Sequence, residues 1–578
     1  MDRNNPEKRM RYLIVGGVAA GASAAAKLRR LDEHAEIIIF EKGPQVSFAS
    51  CGLPYFVSGV IPEKSSLEIM NPEKFKQILN VDVRLHHEVV SILTDRKKIR
   101  VLNLKSEETT EESYDKLVLA TGAESFRPPI KGIKSSAVIT IRTIEDAVII
   151  RERGKTIKSA LVMGAGFIGL EVAENLAAIG VKVTVVEKSS QLLATFDPEM
   201  IAPMIRSMKN AEIDIRLDTE VTGLEELESG KVKVEFKAQD TLETDIVLCC
   251  VGARPRVGLA KNAGLLVGER GGIVVDNYLR TSDPDIYAAG DVIEVHHRID
   301  SSIILSPLAG PATLQGRIAA KNIEKTETKE YCGVLGTAAI EAFGCTLAQT
   351  GLTERQLNRA ENSDYRTIYL HPDNHVTYFP GSSTITMKVI FENNSRGRIL
   401  GAQANGVNGV VRRIDTIAMA IKLGGSVFDL EEVDLVYTPQ FGAPKAPVNV
   451  AGMLAANRIQ ECNLFVDPLD FSFSSDVCIL DVRNKSEHET ERIAGSINIA
   501  LGDLRNNYIY LNPARKIQLV CSQGKRAYAA HCILAQLGFN TVVLTGGLNT
   551  FRDFVTSGLI PKTRLESHSP DASAGHLG

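Results

Sequence analysis

Two cysteines stand in surroundings that suit sulfur chemistry. Cys51 lies in the run Ser47-Phe48-Ala49-Ser50-Cys51-Gly52-Leu53-Pro54-Tyr55 and has no cysteine beside it along the chain. It cannot close a local disulfide, so its oxidised form is a mixed disulfide with a substrate thiol, a persulfide or a sulfenic acid. Those products belong to sulfur or peroxide chemistry on a small molecule. The cysteine must be a thiolate to react, and a helix expected to open at Cys51 would favour one. The second is Cys521, in Cys521-Ser522-Gln523-Gly524-Lys525-Arg526-Ala527, between an apolar strand and a helix. Such a loop can wrap backbone amides around the sulfur and stabilise a thiolate or persulfide anion. Lys525 and Arg526 are expected to add positive charge beside it. The nine cysteines show neither zinc-like nor disulfide-framework spacing. Most read as small core hydrophobes, including adjacent Cys249-Cys250 in a predicted strand and Cys532 on the helix after Cys521.

Two strand–turn–helix units must position Cys51. The first runs from Tyr12-Leu13-Ile14-Val15 through Gly16-Gly17-Val18-Ala19-Ala20-Gly21 into a helix reaching Arg30, then a strand from Glu36 to Phe40 ending at Glu41-Lys42. The second runs from Ala160 to Met163, through Gly164-Ala165-Gly166-Phe167-Ile168-Gly169, a helix to Ala178, and Lys182 to Val186 ending at Glu187. Both place an acid where a ribose hydroxyl needs an acceptor, and their glycines let backbone amides approach a pyrophosphate. The second loop is a full G-x-G-x-x-G, whereas the first has Val18 at the middle position. Two such sites imply a relay. FAD is expected at the first, with Glu41 on the adenosine ribose. NADH is expected at the second, with Glu187 repelling a 2′-phosphate and neighbouring Lys188 leaving NADPH open. Phe167 either covers the flavin or simply packs. Glu171 either places the nicotinamide end or is an ordinary helix glutamate. Thr121-Gly122, after the strand starting at Tyr114, and Gly252, after its counterpart from Asp245, line these sites. Tyr287-Ala288-Ala289-Gly290-Asp291 returns the chain to the first domain and offers Asp291 to a ribityl chain.

The 578 residues suit several domains. The expected fold class is α/β: two Rossmann-like dinucleotide-binding domains, then an α+β domain and a C-terminal α/β domain, which a resemblance to known families implies are a dimerisation domain and a rhodanese domain. The boundaries are 10–120 with 253–332 for FAD, 121–252 for NAD(P)H, 333–460 for dimerisation and 470–560 for rhodanese, followed by a disordered tail over 561–578. A net charge of −4 supplies no basic field for nucleic acid. No window is apolar enough to span a membrane. The start, Met1 to Arg11, is polar and lacks a signal peptide's apolar stretch. A reducing cytoplasm is the expected setting.

The Ser-Phe-x-x-Cys-x-Leu-Pro-Tyr run, the second glycine loop and the Tyr-Ala-Ala-Gly-Asp segment resemble single-cysteine flavoprotein disulfide reductases. In two-cysteine relatives the second cysteine would stand at Phe56. Tyr437-Thr438-Pro439, Pro444-Lys445, Pro447-Val448-Asn449 and His375 to Gly381 resemble the coenzyme A-disulfide reductases. The resemblance covers residues 10 to 455. It implies a homodimer in which Tyr378 and Tyr437 reach the other subunit's cysteine site and assist the thiol leaving group. Without it, both read as ordinary packed tyrosines. It also implies a coenzyme A site of Ser23, Arg30, Ser47, Ser50, Lys74 and Lys445, in which Arg and Lys can bind phosphates. Residues 470 to 560 resemble a rhodanese domain, supported by Asp481-Val482-Arg483, Glu487 and Gly495-Ser496-Ile497. A degenerate docking domain is the alternative there, and the intact Cys521 argues against it. No metal site is expected.

The function expected is reduction of coenzyme A persulfide, polysulfide or coenzyme A disulfide through Cys51, with Cys521 handling sulfane sulfur. The enzyme alternative is an NADH oxidase or peroxidase using a Cys51 sulfenic acid. Those enzymes usually place a histidine near the first loop, where Val18-Ala19-Ala20 offers none. A redox-sensing or sulfur-docking protein without turnover is a third possibility, disfavoured by the full set of nucleotide motifs.

Overall fold

The computed structural model describes residues 9–237, 240–325, 328–461 and 464–567. The chain divides into two compact units, one of residues 1–188 with 216–334, the other of 189–215 with 335–578.

The first unit holds both expected nucleotide folds. One parallel sheet runs in the order Ile286–Ala288, Lys116–Leu119, Arg11–Val15, Glu36–Glu41 and Asp82–Leu85. Its strands are almost continuously apolar, as sheets covered on both faces require. The helices Ala19–Leu31 and Ala309–Glu324 pack closely because both carry small residues. A Cβ on Gly316 would stand 2.2 Å from the Ala20 carbonyl oxygen. The other sheet places Ser159–Met163 between Lys182–Val186 and Ile246–Cys249, with Val138–Ile139 at the edge, again parallel. The helix Phe167–Ala178 follows its glycine loop.

The second unit contains an antiparallel sheet in the order Ala338–Ala342, Cys345–Gly351, Ile399–Gly406, Ile385–Glu392 and Tyr365–Leu370. The helix Val410–Lys422 lies on it. A parallel sheet follows, in the order Phe465–Val466, Thr541–Leu544, Lys516–Val520, Val477–Asp481 and Ile497–Asn498. The mixed α/β class expected from the sequence is the class observed. One expectation is corrected. The stretch from Pro561 is not wholly tail, because Leu565–Ser567 pairs with Glu491–Ile493 and Arg492 meets Glu566 at 2.7 Å. Residues 568–578 lie outside the described part, as do residues 1–8 of the polar start.

The helix Pro198–Asn210 belongs by sequence to the region expected to bind NAD(P)H, yet it packs in the second unit. Lys388, fully buried on the strand Ile385–Glu392, holds its start. Its ammonium lies 2.7 Å from Asp197, 2.5 Å from Glu199 and 2.5 Å from Glu354. Gln403 donates to Asp197 and the Tyr369 hydroxyl to Glu199. Burial works against the Lys388 charge, but the three carboxylates outweigh it and push its pKa well up. Carboxylates this close would suit a metal cation; here the cation is the lysine. The far end of the helix reaches the helix Gly547–Thr556, which follows the second unit's parallel sheet, through Arg206 and Asp553 at 2.8 Å. Removing one partner of a buried ion pair strands the others without compensation. Lys388→Ala is therefore expected to destabilise the protein by about 3–5 kcal/mol, seen as a lowered melting transition.

Candidate active site

The first loop turns on two close backbone approaches. A Cβ on Gly16 would lie 2.2 Å from the Ala120 carbonyl oxygen, and one on Gly21 would lie 1.8 Å from the Gly16 oxygen. The second loop repeats this at Gly164 and Gly169, against Cys250 and Gly164. Gly166 differs, because a Cβ there would meet nothing within 4 Å. Its glycine is explained by something approaching from outside the chain, which suits a pyrophosphate. Val18 takes the matching place in the first loop and caps the helix Ala19–Leu31 with no side-chain bond. Ile168 is exposed and Phe167 half-buried beside that opening.

The two acids behave alike. Glu41 accepts the Gly17 and Gly43 amides at 2.8 and 2.9 Å, and Glu187 accepts the Ala165 amide at 2.9 Å. Each carboxylate is therefore fixed against its own loop, where a ribose would rest. Lys42 pairs with Glu88 at 2.7 Å, and Lys188 with Glu220 at 2.6 Å. Thr121 donates to the Arg256 carbonyl, and Gly252 accepts the Phe126 amide. Gly290, at φ 89°, lies against Ala20 of the first loop. Its amide donates to buried Gln315, and Asp291 meets Arg142 at 3.2 Å. These contacts gather Gly16 to Gly21, Glu41 and Gly290 around one loop. Gln315 and Arg142 were not legible as site residues, since a lone glutamine or arginine carries no motif.

Cys51 is exposed, in a single 3-10 turn of Ser50–Gly52. The expected helix does not begin at the cysteine. Pro54 favours the first turn of a helix, so the helix starts at Leu53 and runs only to Ser58. Ser47 has a left-handed backbone at φ 48°, unusual for a residue with a side chain, and its amide donates to Gly17. This ties the cysteine run to the first loop. Ser23 and Ser50 are half-buried, Arg30 and Lys74 exposed. Beside exposed Arg30, buried Arg29 donates to the carbonyls of Leu79, Asp32, Glu33, Ala35 and Asn80. Cys249 is buried and Cys250 half-buried just past its strand, and desolvation pushes both thiols up, Cys250 to about 12.

In the second unit, the Tyr378 and Tyr437 hydroxyls lie 3.1 Å apart. Both tyrosines are exposed, Tyr378 at 73%. They are not packed core residues, which leaves them open to a substrate or a partner surface. The Val376 amide donates to Gly442 and joins their two loops. Lys445 is exposed nearby in sequence, just before the helix Pro447–Gln460.

Cys521 is buried, and its sulfur accepts the Gly524 and Ala527 amides at 3.1 and 3.3 Å. Gly524, at φ 93°, makes the turn that brings both amides round. A second glycine keeps the loop tight, since a Cβ on Gly547 would stand 2.3 Å from the Cys521 carbonyl oxygen. Leu548 and Asn549 return amides to the carbonyls of Cys521 and Ser522. Arg526 pairs with Glu487 through two bonds of 2.7 Å and also donates to Ser522, while its charge still acts on Cys521. Lys525 remains exposed. Asp481 and Arg483 form a buried pair beneath, at 2.6 Å.

The pyridine nucleotide-disulphide oxidoreductase family matches residues 10–311. The chain belongs to that family. Its dimerisation domain matches residues 339–445, and a rhodanese-like domain matches residues 469–553. The coenzyme A disulfide reductase of Staphylococcus aureus (strain bovine RF122 / ET3-1) is 33% identical over 447 residues, 77% of this chain and 99% of that protein. Two solved structures extend the likeness through the rhodanese region. Reduced Bacillus anthracis CoADR-RHD superposes with a TM-score of 0.92 and 37% identity, covering 95% of this chain and 99% of the other. A NAD-dependent persulfide reductase from A. fulgidus gives a TM-score of 0.87 and 32% identity, covering 94% and 100%. Membership in this family accounts for two nucleotide loops serving FAD and a nicotinamide cofactor. Among the described residues no helix is long and apolar enough to cross a membrane.

The Arg526 bonds hold the Glu487 carboxyl down at about 2. A carboxylate depressed in the folded state adds stability above its unfolded value, lost as pH falls through the folded one. Thermal melts from neutral pH down to about pH 2 should show this loss. Glu487→Gln should melt lower at neutral pH but decline less on acidification.

Proposed function

We propose that this chain is an FAD-dependent NADH oxidoreductase that reduces coenzyme A persulfide, polysulfide or coenzyme A disulfide at Cys51, while Cys521 handles sulfane sulfur. The observation that carries the reading is the second sulfur site. The Cys521 sulfur held by two backbone amides sits in the same chain as an exposed, unpartnered Cys51. A persulfide anion is what that cradle would stabilise. This favours persulfide or polysulfide over coenzyme A disulfide.

In this reading the Cys51 thiolate attacks a sulfur–sulfur bond of the substrate. A bond forms to Cys51, and coenzyme A thiolate or hydrosulfide leaves. Bound FAD supplies the two-electron link between NADH and Cys51, which releases the second thiol. Gly16, Val18, Ala19, Ala20, Gly21, Glu41, Lys42, Thr121, Gly122, Gly290 and Asp291 are assigned to FAD. Gly164, Gly166, Phe167, Ile168, Gly169, Glu171, Glu187 and Gly252 are assigned to NADH. Arg30, Lys74 and Lys445 would meet the phosphates of coenzyme A, with Ser23, Ser47 and Ser50 along the pantetheine arm. The hydrogen-bonded pair Tyr378 and Tyr437 would protonate the leaving thiolate of a partner subunit, so the working form is a homodimer. We place it in the cytoplasm, and assign 10–120 with 253–332, 121–252, 333–460 and 470–560 to the four domains.

Cys51→Ser should lower NADH-dependent reduction of coenzyme A persulfide by more than about a thousandfold, with the flavin spectrum unchanged. Cys521→Ser should abolish sulfur uptake from a sulfane donor while sparing reduction of added persulfide. Rapid Cys51-dependent peroxide reduction without sulfide release would instead establish the oxidase or peroxidase alternative.

Cofactor choice gives a separate test. Glu187 would repel a 2′-phosphate, and Lys188 is engaged with Glu220. NADH should be preferred over NADPH in kcat/KM by about tenfold or more, a kcal/mol-scale repulsion. Glu187→Ala should narrow that ratio, and an unchanged ratio would remove Glu187 from the choice.

A further inference from the structure

Glu171 and Tyr55 join the two halves of the reducing site. Tyr55 stands on the short helix that follows Cys51, and Glu171 on the helix Phe167–Ala178 that opens at the second glycine loop. The Tyr55 hydroxyl lies 3.4 Å from Glu171 Oε1. One turn further, Ser58 donates to Asn175 Oδ1 at 2.5 Å, and Asn175 Nδ2 donates to the Glu171 carbonyl at 2.8 Å. Asn175 is buried, so the two helices are pinned and the carboxyl is held at their seam. A nicotinamide whose pyrophosphate rests on residues 164–169, and whose electrons must reach Cys51, is directed toward this seam.

We propose that Glu171 matches the charge of the nicotinamide: as a carboxylate it favours the oxidised, cationic dinucleotide over the reduced one, and Tyr55 sets the pH of that preference. The inference rests on the oxidoreductase reading above. The chemistry is a binding equilibrium. Protonated Glu171 gives one proton to solvent when the cationic ring binds, and keeps it when the reduced, neutral ring binds. Burial pushes the Glu171 carboxyl up to about 7, the Tyr55 bond opposes this, and Glu174 on the same helix adds to it. The group therefore changes charge within the physiological range, which an exposed glutamate does not. On the neighbouring helix Ile144–Gly154, Arg151 lies 4.4 Å above the Phe56 ring. Of the strands beneath, Lys182–Val186 carries Lys182, which is exposed, and Ser159–Met163 carries no ionisable side chain.

A nearby cation favours the carboxylate, so affinity for NAD⁺ should rise with pH and level off once Glu171 is charged. Titrations of the holoenzyme should find NAD⁺ bound about tenfold more tightly near pH 8 than near pH 6, with NADH little changed. Calorimetry in buffers of different ionisation enthalpy should find proton release with NAD⁺ below neutrality. Glu171→Gln keeps the shape but cannot ionise, and should lose both effects. Tyr55→Phe removes the bond that opposes burial, and should move the NAD⁺ transition to higher pH. A flat NAD⁺ profile with normal NADH binding, or an unchanged profile in Glu171→Gln, would overturn the inference and leave the oxidoreductase reading standing. So would a loss of thermal stability in Tyr55→Phe with no movement of the transition, the mark of a mere brace. Failure of the wild-type protein to bind either dinucleotide would overturn both.

Discussion

A single buried ammonium organises the second unit. Lys388 is fully enclosed on its strand, and its charge is tolerable only because Asp197, Glu199 and Glu354 close on it. Dehydrating such a group costs several kcal/mol unless its partners are well placed. Asp197 and Glu199 come from one segment and Glu354 from another, so their convergence on Lys388 specifies one arrangement of the segment 189–215 against the antiparallel sheet. Met200, one residue past Glu199, joins a core cluster with Tyr369, Phe551 and Phe554. His371 adds a polar tie, bonded to Thr386 and Thr550 and held neutral by burial, its pKa pushed down to about 3. The helix Gly547–Thr556 that backs the Cys521 loop is thus seated on the antiparallel sheet through buried groups.

The sulfur sites use backbone geometry in different ways. At Cys521 the amides face the sulfur directly, and two positive-φ glycines make the cradle. At Cys51 no such cradle forms; the residue lies open on a 3-10 turn tied to the first glycine loop by Ser47. An enclosed sulfur suits storage of a persulfide anion. An open one suits attack on a bulky disulfide. Family membership, the nucleotide loops and these contrasting environments all favour sulfur reduction.

Much of this was legible in sequence because it rests on local geometry. The strand Lys182–Val186 was bounded as observed, since an apolar run between turn residues marks it directly. The glycine loops were legible because close backbone approaches forbid a Cβ. The start of the Cys51 helix was misplaced by two residues, since the run Ser50–Gly52 forms a tighter turn before Pro54 sets the helix. The ordered stretch after Pro561 was not legible either, because its short strand exists only by pairing with Glu491–Ile493, far away along the chain.

The sequence by itself determined the chemistry available: an unpartnered cysteine, two dinucleotide loops with their acids, and a cysteine loop of rhodanese type. These depend on residue type and short spacing, which a linear chain displays. Tertiary structure decided how the charges are partnered. Arg526 pairs with Glu487, Lys188 with Glu220 and Lys388 with three carboxylates, while Glu171 is left near neutrality against Tyr55. Each outcome depends on which distant side chain is brought within a few ångströms, and on how much water folding removes, and neither quantity is written in local spacing.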